Sequence, residues 1–394
     1  MKKIVLLALS FLITVSLGAY DYGLLLVQEL ESTDARADTP ATSDRMTSYS
    51  ASLVPRFSTP IGGSADLFVS ARMTCDTAFK TGFTPELLRA EYTWRNEKLM
   101  ISLGRMQYAA PFERVADGLF DGFKTSFYYP FGTIYYGLWY TGLLYKNEAN
   151  VVITNKDKSA YQEPLDYGRF YETYFASQRL VGALGWEHPS VAGVLSAKTA
   201  FIYQIDLNGA EESGDGRLNS EYIMARFGLP YRNLSFEFGG VLQIAQLDGE
   251  TSAGFTWDAG FSYYMPLRLP SLFSVTGYFS VDKGKSVIPN LVPINSKSFG
   301  RVVEISPSGI SALILDYSAR ISGAFSASAG AICYIQSSFA NIPELNLAGR
   351  NGCEVYANMK WAPLSDIMVN LGGGYDISSD SKWKIKLGLI MAFL

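Results

Sequence analysis

Apolar side chains recur at every second position over most of this chain. In its last dozen residues Trp383, Ile385, Leu387, Leu389, Met391 and Phe393 take one side, while Lys384, Lys386 and Gly388 take the other. A period of two marks a strand with one apolar and one polar face. The same reading predicts strands near 21–31, 45–58, 62–75, 84–95, 97–107, 120–130, 132–146, 177–187, 193–207, 220–230, 232–247, 253–265, 271–283, 309–320, 323–336, 352–362, 366–377 and 382–394. Two kinds of connection separate them, in strict alternation. One kind is tight: Thr59-Pro-Ile-Gly-Gly63, Arg95-Asn-Glu-Lys98, Tyr129-Pro-Phe-Gly132, Glu187-His-Pro-Ser190, Pro230-Tyr-Arg-Asn233, Met265-Pro-Leu-Arg-Leu-Pro270, Ile321-Ser-Gly323 and Ala362-Pro-Leu-Ser365. The other kind is mostly long and polar: 32–44, 76–83, 108–119, 147–176, 208–219, 284–308 and 337–351, with 248–252 and 378–381 as its short members. Within 284–308, Phe299–Ser306 is also compatible with a strand extension.

Such a pattern predicts an all-β chain, a transmembrane antiparallel β-barrel of about 18 strands (16–18), with short periplasmic turns and long extracellular loops. Both termini fall on the short-turn side, which requires an even strand number. A long apolar strand left as a free edge invites aggregation, whereas closure in a bilayer removes the edge. The first residues agree. Met1-Lys2-Lys3 is a basic stretch, Ile4 to Val15 is apolar but too short to span a bilayer as a helix, and Ser16-Leu17-Gly18 offers small residues for cleavage. Residues 1–18 are therefore read as a signal peptide cleaved near Gly18/Ala19, and 19–394 as the barrel. No later run of eighteen apolar residues exists, which excludes a helical membrane protein. The terminal strand resembles the C-terminal signal of bacterial outer-membrane barrels, with the aromatic residue penultimate. That resemblance implies an outer-membrane location, outer-membrane lipid as surroundings and the barrel-assembly machinery as a partner.

Composition fits. Apolar residues make up 48% of the chain but are dispersed, and aromatics reach 14% with 25 Tyr against 6 Trp. Tyrosine, with an apolar ring and a wet hydroxyl, suits a membrane–water boundary. A large secreted β-sandwich or β-helix is the competing fold, and it leaves the terminal strand unexplained.

Charged residues sort to one face. In 87–95, Leu88, Ala90, Tyr92 and Trp94 oppose Arg89, Glu91, Thr93 and Arg95. In 195–206, Leu195, Ala197, Thr199, Phe201, Tyr203 and Ile205 oppose Ser196, Lys198, Gln204 and Asp206. In 353–361, Val355, Ala357, Met359 and Trp361 oppose Glu354, Asn358 and Lys360. A charge facing lipid at the midplane costs roughly 2–4 kcal/mol, so the charged rows are expected to line the lumen. A barrel this wide is not filled by side chains alone, so water and small solutes are expected there. Tyr20–Glu31 is already strand-like, which leaves no N-terminal plug. A constriction is therefore sought in an outer loop. Loop 147–176, the longest, carries Tyr161, Tyr167, Phe170, Tyr171, Tyr174 and Phe175. Insertion into the lumen and packing over the rim are both open for it.

Leu103-Gly-Arg-Met-Gln107, followed by Asp117-Gly-Leu-Phe-Asp121-Gly, resembles the Leu-Gly-Arg-x-Gln … Phe-Asp-Gly pattern of the alginate-export and related eighteen-stranded porin families. The likeness covers about twenty residues and implies an open lumen for anionic or polar solutes. Strict alternation puts Arg105 on the lipid side with Leu103. A bulge at Gly104 would turn it inward. Arg72, Arg89, Arg105 and Lys124 would then form a basic wall on four consecutive strands, extended by Lys384 and Lys386. Acidic candidates Glu187, Asp206, Glu237, Asp316 and Glu354 are scattered elsewhere. Like charges in a pore select the opposite ion, unless each cation pairs with a carboxylate, Arg89 with Glu91 or Arg72 with Asp66.

Catalysis is not expected. The one histidine, His188, precedes Pro189 in a tight turn, and no metal, cofactor or nucleophile motif occurs. No cofactor and no nucleic-acid partner is expected, and a homo-oligomer is compatible with the chain. Cys75, Cys333 and Cys353 cannot all pair. Cys333 and Cys353 lie on consecutive strands, where either a bridge or free thiols fit. The sequence thus points to an outer-membrane porin or channel for passive diffusion of small polar solutes, anionic ones among them. A surface-exposed adhesin or interaction barrel with an incidental lumen is the second reading.

Overall fold

The structure is a computed structural model, and it describes residues 20–34, 46–77, 83–208, 217–247, 250–280, 288–295, 298–303, 305–336, 351–378 and 381–393. The expected signal peptide lies outside them. Eighteen strands follow in order: β1 Asp21–Thr33, β2 Met46–Ile61, β3 Ala65–Asp76, β4 Thr84–Arg95, β5 Leu99–Ala109, β6 Asp117–Tyr129, β7 Gly132–Tyr140, β8 Arg179–Val191 and β9 Leu195–Asp206, then β10 Leu218–Tyr231, β11 Leu234–Leu247, β12 Glu250–Met265, β13 Ser271–Phe279, β14 Ile310–Arg320, β15 Phe325–Gln336, β16 Asn351–Leu364, β17 Ile367–Asp376 and β18 Lys382–Phe393. Each pairs antiparallel with its chain neighbours, and β1 pairs with β18 from Leu24↔Phe393 to Thr33↔Lys384. The sheet is closed, so the alternating terminal strand has no free edge. Among the described residues no helix is long and apolar enough to cross a membrane.

Burial tells inside from outside. Ala183 on β8, Ile202 on β9 and Tyr222 on β10 are neighbours in register and are buried. Their chain neighbours Leu184, Phe201 and Ile223 point the other way and are exposed. Following the register round the sheet puts Leu67, Val69, Val355, Met359, Trp361, Leu387, Leu389 and Met391 outside, as the sequence predicts for a lipid-facing surface. Cys333 and Cys353 are directly opposed on this outer face and form a disulfide; Cys75 is free and exposed. His188 lies within the last turnward residues of β8, not in the tight turn the sequence predicts at 187–190, which falls at 192–194. Its Nδ1 accepts from the Ser190 amide at 3.0 Å, a local structural bond.

The lumen departs from expectation. It is not simply a water-filled tube, because three connections on the long-loop side fold into it and build an apolar core against the inner wall. Phe299–Ser306 belongs to one of them and is not a strand extension.

Candidate functional site

The first inserted element is the β5–β6 hairpin. β4 pairs with β5 only from Arg95↔Met100 to Ala90↔Arg105, although β4 continues to Thr84 alongside β3. Above that point β5 and β6 stay paired with each other, to Ala109↔Asp117. The connecting residues cross the lumen. Phe112 packs on Tyr278 of β13 (ring centroids 6.2 Å apart), and Arg226 of β10 lies 5.9 Å from its ring.

The motif read in the sequence sits at the base of this ribbon. Gly104 and Gly122 are paired there. Gly104 has φ +105°, and a Cβ on it would fall 2.1 Å from the Ala90 carbonyl oxygen. A Cβ on Gly122 would fall 2.0 Å from the Leu138 carbonyl oxygen. Only glycine lets both neighbouring backbones come this close where the ribbon leaves the wall. Next to them Arg105 grips Asp121 with two hydrogen bonds of 2.8 Å, and donates to the carbonyls of Leu87 (2.6 Å) and Leu143 (2.8 Å). Gln107 donates to Asp117 one rung higher, at 2.8 Å. The register runs through Gly104 unshifted, so Arg105 stays in the row of Leu103 and is a bracket for the ribbon, not a free cation of a basic wall. Gly104→Val is expected to lower unfolding free energy by about 2–4 kcal/mol, from positive-φ strain and overpacking. Urea unfolding of refolded protein measures this. Gly63→Val, where a Cβ meets nothing within 4 Å, is the matched control.

The second insert is residues 288–308. Irregular backbone away from water must find hydrogen-bond partners, and the inner wall supplies them. Tyr222 donates to the Val292 carbonyl (2.5 Å), Gln243 to that of Pro289 (3.1 Å) and Tyr278 to that of Pro307 (2.8 Å). Glu354, fully buried on β16, accepts from the amides of Arg301 (2.6 Å), Val302 (3.2 Å) and Val303 (2.9 Å). Asn295 donates to the Asp117 carbonyl at 2.6 Å, tying this insert to the ribbon.

The third insert comes from the long loop between β7 and β8, and both readings of it apply, to different parts. Val151 and Ile153 pack inward with Leu218, Ala245 and Leu247 of the wall. The helix Asn155–Gln162 is opened by a capping box of Thr154 and Asp157. Asp157 then reaches the buried Arg179 at 2.6 Å, and Asp206 completes the cluster at 3.2 Å. Tyr167 and Tyr174 instead lie against β4: Tyr174 donates to the Pro85 carbonyl at 2.8 Å, and Tyr167 donates to that of Phe83. Burial, with Glu86 nearby, pushes the Tyr174 phenol up to about 12, which keeps it a donor at any physiological pH.

These inserts are one-sided. Wall residues of the main core come from β5 to β11 and β13 to β15, with Tyr356 of β16 at its margin. Among the described residues none of this apolar core comes from β1–β4, β17 or β18, although the long loop reaches β4 and β3 through Tyr174 and Glu148, and Val302 lies against Gly374 of β17. Toward the long-loop end the uncovered wall is polar and small: Ser48, Ser50, Ser52, Asn370, Gly372, Glu29 and Glu31 face inward, with Lys384 and Lys386, while Leu25, Val27, Met368 and Ile390 face inward nearer the short turns.

Charges on the inner face are largely paired. Arg72 binds Glu86 at 2.7 Å, and Glu148 from the long loop. It does not pair with Asp66, which meets Arg95 at 3.5 Å. Arg89 binds Glu91 at 2.5 Å, Lys384 binds Glu31 at 2.9 Å, and Lys386 binds Glu29. Arg226 joins Glu237 (3.1 Å) and Asp258 (2.6 Å). Lys124 sits 4.6 Å above the Tyr135 ring, under the ribbon. Asp316 accepts from the Tyr356 hydroxyl at 2.5 Å. Asp206 and Glu354 are spent on holding inserts and face no open space. Glu187 and Lys198 oppose each other across β8 and β9. Lys360 stands apart. With Arg320, Ser318, Ser326, Ser328 and Asn358 it lines a cavity of about 420 Å³ at the short-turn end, and no carboxylate lines it.

No family model matches the chain, and no curated protein matches it in sequence. Its fold is shared with solved structures. OccK2 (OpdF) of Pseudomonas aeruginosa superposes with a TM-score of 0.65 at 10% identity, over 95% of this chain and 97% of that one. OccK9 (OpdG) of the same organism gives 0.64 at 10% identity, over 95% and 98%. The outer membrane protein opdK of Pseudomonas aeruginosa gives 0.61 at 11% identity, over 95% and 98%. At such identities the likeness establishes the closed eighteen-stranded porin-type barrel.

Proposed function

We propose that this chain is an outer-membrane channel for the passive diffusion of small polar solutes, with a weak preference for anions. The one-sided packing of the inserts carries the reading. A barrel narrowed on one side, with serines, glycines and paired charges on the other, keeps a wet path and rejects bulk. A structural relative of the same fold, OccK2, has been solved in complex with glucuronate, which fits a lumen for small polar solutes. Export past a cleaved signal peptide, surrounding outer-membrane lipid and insertion through the barrel-assembly machinery by way of the C-terminal strand belong to the same proposal. A passage needs no catalytic group.

Pairing of Arg72, Arg89, Lys384 and Lys386 with carboxylates weakens the selectivity a bare basic wall would give. We assign the anion preference to Arg320 and Lys360, because none of the described residues lining their cavity is a carboxylate. Purified protein in a planar bilayer should conduct, and reversal potentials across a salt gradient should show the anion favoured. The preference should fade from about 0.15 M to about 1 M salt, as screening shortens from ~8 Å to ~3 Å. Arg320→Ser with Lys360→Ser should remove it, and Arg169→Ser in the outer loop should not. A silent bilayer sinks the channel reading and favours the adhesin. A cation-selective wild type sinks the charge assignment alone.

A further inference from the structure

The long loop meets the wall where the wall is broken. Above Ala90 the edge of β4 has no strand beside it, because β5 has turned into the lumen. An open edge exposes unpaired backbone groups. Here the carbonyls of Phe83, Pro85 and Leu87 accept from Tyr167, Tyr174 and Arg105 in turn. Loop residues therefore occupy the place of a strand and complete the wall. Their inner side is packed, with Tyr145, Leu165, Thr173 and Tyr174 buried. Their other side is not: Tyr171 is 83% exposed, Leu143 54% and Tyr167 49%. Immediately below lie Leu87 and Leu103, the exposed outward row of β4 and β5.

We propose that this strap, residues 163–175 with Leu143 and Phe83, docks on the outer leaflet of the membrane, so that the lipid surface is its partner. The proposal rests on the outer-membrane reading above. Continuity with the lipid-facing row is the first argument. Phe83 is four residues above Leu87, about 13 Å along the strand, which reaches from the hydrocarbon edge into the headgroup layer. Chemistry is the second. Stacked rings with hydroxyls, Tyr167 on Phe170 and Tyr171 on Phe175, suit the apolar–polar boundary. The one cation of the strap, Arg169, binds Glu163 at 2.6 Å, Asp166 at 3.5 Å and Glu172 at 3.8 Å, which leaves the strap mildly acidic and suits it to a zwitterionic headgroup layer. Lipid contact would then press the strap onto β4 and hold shut the gap that the inward ribbon leaves.

A nitroxide label at Tyr171→Cys, in the full chain carrying Cys75→Ser, tests this in phosphatidylcholine vesicles. Labels at Leu387→Cys and Glu97→Cys mark the lipid face and an exposed short turn. At position 171 oxygen should broaden the spectrum more than a water-soluble nickel complex does, as at 387 and opposite to 97. Nickel access at 171 equal to that at 97 overturns the proposal and leaves the strap as a free surface at the mouth. If 387 is also open to nickel, the membrane barrel itself fails, and the two failures are thereby told apart.

Discussion

Arg105→Ala is expected to destabilise the barrel by about 3–5 kcal/mol, the loss seen when one partner of a buried ion pair is removed. Arg105 is 6% exposed, and its removal strands the Asp121 carboxylate together with the carbonyls of Leu87 and Leu143. Replacing Arg169, whose side chain is 54% exposed, should leave the unfolding midpoint essentially unchanged. The midpoint of urea unfolding measures both. Asp121→Ala should cost a similar amount to Arg105→Ala, and the double variant should cost less than the two singles added, because neither charge is then left alone. The effect should also show in single-channel records. With its bracket gone, the ribbon is free to leave the lumen, so conductance should rise and fluctuate. Singles that lie within about 1 kcal/mol of the wild type, with unchanged conductance, would show that the ribbon is held by its core packing and not by this pair.

The strands were legible because a bilayer imposes one rule on every outward position, and alternation records it. Even the opposed cysteines followed from the predicted register. The inserts were less legible because inward packing is a tertiary choice. Yet two signals were present. Strands β8 to β10 are apolar on both faces, as in Val181–Leu184, Ala200–Ile202 and Tyr222–Met224. A row bathed in water has no reason to be. Likewise the connection 284–308 reads as a polar loop, though Ile288, Leu291, Val292, Ile294, Phe299, Val302, Val303 and Ile305 are all buried. An apolar wall and an apolar loop are the two halves of one core. The basic wall went astray for a different reason. Assigning Arg72 and Arg89 to the inner face was within reach of periodicity. The pairing of Arg89 with Glu91, two residues on in the same strand, was within reach too. The partners of Arg72, Glu86 and Glu148, were not, because a bulge at Ser70/Ala71 resets the register between β3 and β4 and Glu148 arrives from the long loop. The short motif at 103–122 carried more than its length suggested: its glycines and its Arg–Asp pair are the fold-in point of the ribbon.

Glu354→Gln should release the insert 288–308 from the lumen. The carboxylate receives three amides, two on Oε2 and one on Oε1. Glutamine keeps the shape but turns one of those oxygens into an N–H₂ group, which faces donors and cannot accept. A hydrogen bond to a charged group contributes about 1.5–3 kcal/mol, and a buried donor left without a partner costs about 1–3 kcal/mol. A loss on the order of 3 kcal/mol is therefore expected, part of it recovered if water reaches the freed amides. Because Gly300 lies so close that a Cβ there would meet the Glu354 oxygen at 2.8 Å, no larger side chain can fill in from the loop. The outcome is a wider passage as well as a weaker barrel: larger single-channel conductance, and faster entry of solutes the wild type excludes. Glu237→Gln, at a side chain 57% exposed and shared by an Arg226 that keeps Asp258, should do neither. If Glu354→Gln conducts and unfolds like the wild type, then Tyr222, Gln243 and Tyr278 suffice to hold the insert. The constriction would in that case be set from the β10–β13 side of the wall and not from β16.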